Sequence, residues 1–304
     1  MLRAFANGIV SNVKKERQGI MSIEVTVRQK GILKKPLPLD VILGESLKYG
    51  DYDGVRLEFD KLGETEFVAY NSAHIGRGFS VVWKKGEKHK VDLRLLTPSS
   101  DEEIEDFYEC VNRIAVFWSN SAVEVDGAPQ SLEECLAGKE HMLRWNRDII
   151  ASLGEERSLA QAPLVLPCAF WFISLSAEDL KRVSQGSEVF RDYIHEKQNI
   201  DVYYAMPHFY RDEQGIFGSY AYTENTESIF PAKAELPFWA DKSIQVYRWE
   251  IALFSITEDA VIGSIDYEQF LKSIPEDKKQ PYDAEHLLIA SLDLALLKQM
   301  AGVG

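Results

Sequence analysis

Cysteine is scarce: Cys110, Cys135 and Cys168 are the only three in 304 residues. Each lies in an apolar stretch, and an odd number without paired spacing makes neither a disulfide framework nor a metal knuckle. A reducing, cytoplasmic setting is expected. Long apolar runs are missing as well. The longest, Pro163 to Leu175, falls short of the roughly 20 residues that a membrane-spanning helix needs, and it contains two prolines. It is expected to be one central buried strand, from Val165 to Leu175, and no membrane span is expected. Histidine is sparse, and no His or Cys pair stands at ligand spacing on a helix, so neither a metal nor a cofactor is expected.

What is present is an ordinary folded composition, 45% hydrophobic and 27% charged, long enough for two cores or one large one. The formal net charge of −14 is unevenly placed. Residues 1–35 hold eight Lys/Arg against two Glu, and the remainder holds 26 basic against 46 acidic residues. So acidic a body would be repelled by nucleic acid and anionic lipid, which points to basic or neutral protein partners.

Residues 1–20 place Leu2, Phe5, Ile9 and Val13 at helical spacing with Arg3, Lys14 and Lys15 opposite. The stretch is too short and interrupted for a secretory signal. It reads as a poorly packed N-terminal extension upstream of a native start at Met21, with a basic amphipathic surface helix as the competing reading.

From Met21 the texture is β. Ile23, Val25 and Val27 alternate with Glu24, Thr26 and Arg28, and strands are expected at 55–59, 66–70, 79–83 and 91–95, the last two forming a hairpin. Ser100 and Glu103 make a capping box opening a helix over 101–119, whose apolar stripe runs from Ile104 to Trp118. A short strand and an Asp126-Gly127 turn lead to a second box, Ser131 and Glu134, and a helix over 132–153 ending near Gly154. The second half has helices opening at Ser176 and Gly186. An aromatic hairpin follows over 201–223, with Pro207 pushing its first strand to an edge, then a strand at 245–255. Asp266 caps a helix, and Asp283 is expected to open a long, mostly buried C-terminal helix. The fold class is therefore α+β. An N-terminal, mostly antiparallel sheet under two helices (21–155) is followed by a second α+β half with a mixed or antiparallel sheet (158–304).

The segments Met21 to Lys30, Leu37 to Leu43, His74 to Gly78 and Asp101 to Phe107 together resemble an uncharacterised bacterial family known only as a domain of unknown function. Its members are cytoplasmic proteins of similar length. The resemblance covers Met21 to about Trp118 best. It implies a bacterial, cytoplasmic protein and carries no catalytic residue with it.

Candidate binding residues come from two places. His74-Ile-Gly-Arg-Gly78 could cradle an anion, with His74 and Arg77 as contacts, although a glycine-rich turn explains the same letters. In the aromatic hairpin Tyr203, His208, Tyr210, Tyr220 and Tyr222 offer large amphipathic rings of the kind enriched in interfaces. Cys168 lacks charged neighbours and reads as a small hydrophobe rather than a nucleophile. No catalytic residue is assigned. The expected function is non-enzymatic, a regulatory or immunity-like cytoplasmic protein acting through protein–protein interaction. The alternative is a small-molecule-binding protein, hydrolase or transferase without a legible motif.

Overall fold

The computed structural model describes residues 21–52, 56–119, 121–156, 162–237, 240–241 and 243–303. The extension over residues 1–20 and the boundary read near Ser158 lie outside them. The described chain forms two compact units, one ending at Ile200 and one beginning at Asp201. The texture of the sequence, by contrast, changes near Ser158.

In the first unit the alternation at Ile23, Val25 and Val27 builds β1 (Met21–Gln29), whose Val25 and Val27 are fully buried. Helix α1 (Leu39–Leu43) begins only once Pro38 has ended the proline run. There follow β2 (Leu47–Tyr52), β3 (Leu57–Phe59), β4 (Glu66–Asn71), β5 (Phe79–Val82) and β6 (Lys90–Thr97). Of these, β2 has no counterpart in the sequence reading.

Helix α2 (Asp101–Trp118) opens with the expected capping box: the Glu103 amide donates to Ser100 Oγ and the Ser100 amide to Glu103 Oε2, both at 3.1 Å. Its stripe of Ile104, Phe107, Val111, Ile114 and Trp118 is buried. Strands β7 (Ser121–Val125) and β8 (Ala128–Gln130) flank Asp126 and Gly127, whose φ values of 49° and 80° make the tight hairpin turn. Helix α3 (Leu132–Glu156) closes the pair of covering helices.

The eight strands lie in the order β3-β2-β4-β5-β6-β1-β7-β8, all antiparallel. Their inward residues share one core with α1, α2 and α3. Burying that apolar area, at about 25 cal/mol per Å², is what holds helices and sheet together.

The expected single strand from Val165 to Leu175 is instead a hairpin, β9 (Leu164–Pro167) and β10 (Phe172–Leu175). Pro167 has no amide to continue a ladder. The turn after it bonds elsewhere, Ala169 N to Gly76 O at 3.0 Å and Phe170 N to Gln198 Oε1 at 2.7 Å. Helices α4 (Ala177–Val183) and α5 (Ser187–Gln198) complete the unit. Gly154 does not end α3. A Cβ there would stand 2.4 Å from Ser184 Oγ, so the glycine lets the helix pass close to the end of α4.

In the second unit the expected first strand of the aromatic hairpin splits at Pro207 into β11 (Tyr203–Tyr204) and β12 (His208–Arg211), which join different sheets. The remaining strands are β13 (Ile216–Thr223), β14 (Ser228–Pro231), β15 (Val246–Ser255) and β16 (Ala260–Asp266). After Asp266 caps α6 (Tyr267–Ser273) come β17 (Lys279–Pro281), β18 (His286–Ile289) and α7 (Leu294–Ala301). One mixed sheet runs β12-β13-β15-β16, with β13 and β15 parallel, and the other runs β11-β14-β18-β17.

The long C-terminal helix expected from Asp283 is therefore a correction. The Asp283 carboxylate takes the amides of Glu285 and His286 in a turn, β18 pairs on both sides, and the helix starts only at its own cap, Asp293. The excess of leucines over one stripe arose because Leu287 and Leu288 belong to a strand. No helix among the described residues is long and apolar enough to cross a membrane.

Candidate functional site

The loop His74 to Gly78 joins β4 to β5. Gly78 has φ 65°, a left-handed conformation that needs glycine, and the curl turns backbone amides inward. This concavity holds an anion supplied by the chain itself. Glu103 Oε1 accepts the Gly78 amide at 2.6 Å, its Oε2 accepts that of Ser100 at 3.1 Å, and the Arg77 amide also donates to the carboxylate. Burial raises the Glu103 carboxyl above its ordinary value, opposed by these amides and by the Arg77 guanidinium. Arg77 itself is 3% exposed and donates through Nε to Pro167 O at 2.9 Å and through Nη1 to Pro98 O at 2.8 Å.

His74 lies at the rim of the same loop. Its Nε2 meets Asp106 Oδ2 at 3.0 Å, Asn71 Nδ2 donates to that oxygen at 3.1 Å, and the Ile75 amide donates to His195 Nδ1 at 2.9 Å. The other acids of the α2 N-terminus are engaged too, Asp101 with Arg147 and Ser187, and Glu102 with Arg191. None of these pairings is legible from spacing, since the partners stand tens of residues away.

The Asp106 hydrogen bond raises the His74 pKa above its ordinary value, with burial working against it and the charges of Asp106, Glu102 and Glu103 adding to it. The folded state thus holds the proton more tightly than the unfolded chain. The pair's stabilisation is full below about pH 6.5 and fades as pH rises through the folded value. Relative to wild type, His74→Gln should lose about 1–2 kcal/mol near pH 5.5 and progressively less towards about pH 8.5. A loss that does not vary with pH would mean that the imidazole is held neutral.

In the second unit, Tyr220 and Tyr222 are 1% and 0% exposed and belong to the core. The Tyr222 hydroxyl accepts the Leu292 amide at 3.0 Å and donates towards the carbonyls of Thr226 and Ala290. Tyr203, half-buried, packs against that core from β11. His208 and Tyr210 lie together on β12, which pairs only with β13 among the described residues.

On β12, Tyr210 stacks on Phe217 at 5.5 Å between centroids, and Phe209 meets the edge of Trp249 at 5.9 Å. Arg248, missed by sequence reasoning, lies 3.9 Å over the Phe217 ring and reaches Glu250, Tyr247 and Asp212. A shallow depression of about 660 Å³ lined by residues 211–216 and 243–245 adjoins the end of β12. A second unforeseen arrangement is in line: the Tyr204 hydroxyl lies 3.0 Å from His286 Nε2, and His286 Nδ1 lies 2.8 Å from Asp283 Oδ1. Phenol, base and orienting carboxylate stand in the order used by nucleophile relays. Tyr204 is only 6% exposed, however, and the relay ties β11 to the turn before β18.

Fold and site together define an α+β protein of two compact units, with β12 at one edge of a four-stranded mixed sheet among the described residues. The chain belongs to the family described as domain of unknown function DUF4299, whose model matches residues 22–300. The likeness read over Met21 to Trp118 thus extends through the second unit. No curated protein and no solved structure is significantly similar to it.

Proposed function

We propose that this chain is a non-enzymatic binding protein of the bacterial cytoplasm, which recognises a cationic partner protein by pairing an extended segment of it against β12. The observation that carries this reading is the edge position of β12, with Phe209 and Tyr210 braced by Trp249 and Phe217. An unpaired edge offers main-chain donors and acceptors, while alternate side chains select the partner sequence. Rings already packed on one side lose little conformational entropy on binding. The net charge of −14 favours encounter with a basic partner, most strongly at low salt.

The test is a pull-down from the native cytoplasm, followed by amide exchange on the captured complex. A partner bound by wild type should slow exchange over His208–Arg211. Tyr210→Ser should weaken binding by about 2 kcal/mol, the scale of an interface anchor. Tyr203→Ser, on β11, should leave binding unchanged. A partner held equally well by Tyr210→Ser would remove β12 from the account. A metabolite that raises the melting temperature, with no protein captured, would replace it with ligand binding.

A further inference from the structure

The acidic total hides a sorted charge. Residues 28–35 hold Arg28, Lys30, Lys34 and Lys35 with no acid, and residues 84–90 hold Lys84, Lys85, Lys88 and Lys90 against Glu87. The sheet brings these two segments side by side. Arg28 faces Lys90 across β1 and β6, Gln29 N donates to His89 O at 2.9 Å, Leu37 N donates to Glu87 O at 2.8 Å, and Lys34 Nζ lies 2.9 Å from His89 Nδ1. Arg28 pairs with Glu124 and Lys90 with Asp92, which leaves Lys30, Lys34, Lys35, Lys84, Lys85 and Lys88 as the outward charges.

At the apex of the first segment stand Ile32 and Leu33, 100% and 96% exposed, beside Gly31 with φ 88°. The base of this loop is rigid. Buried Gln29 clamps Lys35 from both sides, Nε2 to Lys35 O at 3.0 Å and Lys35 N to Oε1 at 2.7 Å, and Trp118 Nε1 donates to the same carbonyl at 3.1 Å. Scattered exposed aliphatics are ordinary. Two adjacent ones, fully exposed on a braced tip and surrounded by lysines, are not.

We propose that this end of the first unit docks on a lipid bilayer carrying anionic headgroups, with Ile32 and Leu33 entering the interface and the lysines pairing with the headgroups. Apolar area and positive charge add in such binding, each lysine near an anionic surface contributing about fivefold. Acidic groups of the first unit that lie more than about 8 Å from the contact act on it weakly, because they are screened at physiological salt. A protruding tip also offers a protein partner no groove. Nucleic acid would use the lysines and leave the two aliphatic side chains without a role.

The full chain should float with vesicles made of equal parts phosphatidylglycerol and phosphatidylcholine, and not with phosphatidylcholine alone. I32S/L33S should weaken flotation by about tenfold or more while leaving the melting temperature unchanged. The double variant Lys34→Glu/Lys85→Glu should abolish it, and added salt should weaken the wild type. Absence of flotation by wild type, or flotation unaffected by I32S/L33S, would overturn the proposal. So would duplex DNA binding that matches the vesicle affinity and ignores the serine substitutions.

Discussion

Glu103→Ala is expected to lower the melting temperature of the first unit by roughly 10 °C, or about 3–4 kcal/mol. The carboxylate is buried and accepts the amides of Gly78, Ser100 and Arg77, so its removal leaves three donors and the Arg77 guanidinium facing a void. It also removes the reciprocal half of the α2 capping box. Glu103→Gln should cost about half as much, since one oxygen remains to accept while the new NH2 opposes an amide. Gly76→Ala should match the alanine variant from the other side: a Cβ would lie 2.4 Å from Glu103 Cδ and push the carboxylate off its donors. Thermal melts of the three variants decide it. Equal, small losses of about 2 °C or less for Ala and Gln would show that the loop does not depend on the carboxylate.

Gly218→Ala is expected to cost the second unit about 3 kcal/mol. Gly218 pairs with Trp249 across the parallel strands β13 and β15, and a Cβ would stand 2.1 Å from Trp249 Cζ3. The indole has little room to swing, because Phe209 and Tyr220 flank it at 5.9 and 5.8 Å. Phe209 also pairs with Gly218 from β12, so the displaced ring would loosen the edge strand that the binding proposal uses. The urea midpoint should fall, and amide exchange at His208–Arg211 should quicken. Gly186→Ala, where a Cβ would meet nothing within 4 Å, is the control and should cost about 1 kcal/mol or less, the difference between glycine and alanine as an N-cap. An unchanged midpoint for Gly218→Ala would mean that the Trp249 ring adapts, against the packing described.

Features that depend on neighbours in the chain are legible from the residues alone. Ser100 with Glu103, and Ser131 with Glu134, specify helix starts because cap and acceptor stand three residues apart. The Ile104 to Trp118 stripe sets which face is buried, the Asp126-Gly127 turn sets a hairpin, and Pro207 sets a break. Local signals failed where a long-range partner outweighed them. The leucines before α7 suit a helix, but β14 and β17 offer β18 hydrogen bonds on both edges. Within Val165 to Leu175, Pro167 starves a ladder and the amides after it bond to Gly76 and Gln198, far away in the chain.

The candidate sites divide in the same way. Glycines 76 and 78 announce an anion cradle, and only the packing of α2 on the loop decided that Glu103 fills it. The rings of the aromatic segment are legible as letters, yet whether a tyrosine is core or edge depends on which strand lies beside it. Tyr220 and Tyr222 sit under β14 and α6, whereas Tyr210 stands on a strand with one neighbour among the described residues. Net charge is a sum over the chain, while a surface acts over about a Debye length. Tertiary structure therefore decided that an acidic protein carries a basic, apolar-tipped end: antiparallel pairing of β1 with β6 brings together basic residues far apart in the chain, as Arg28 opposite Lys90 shows.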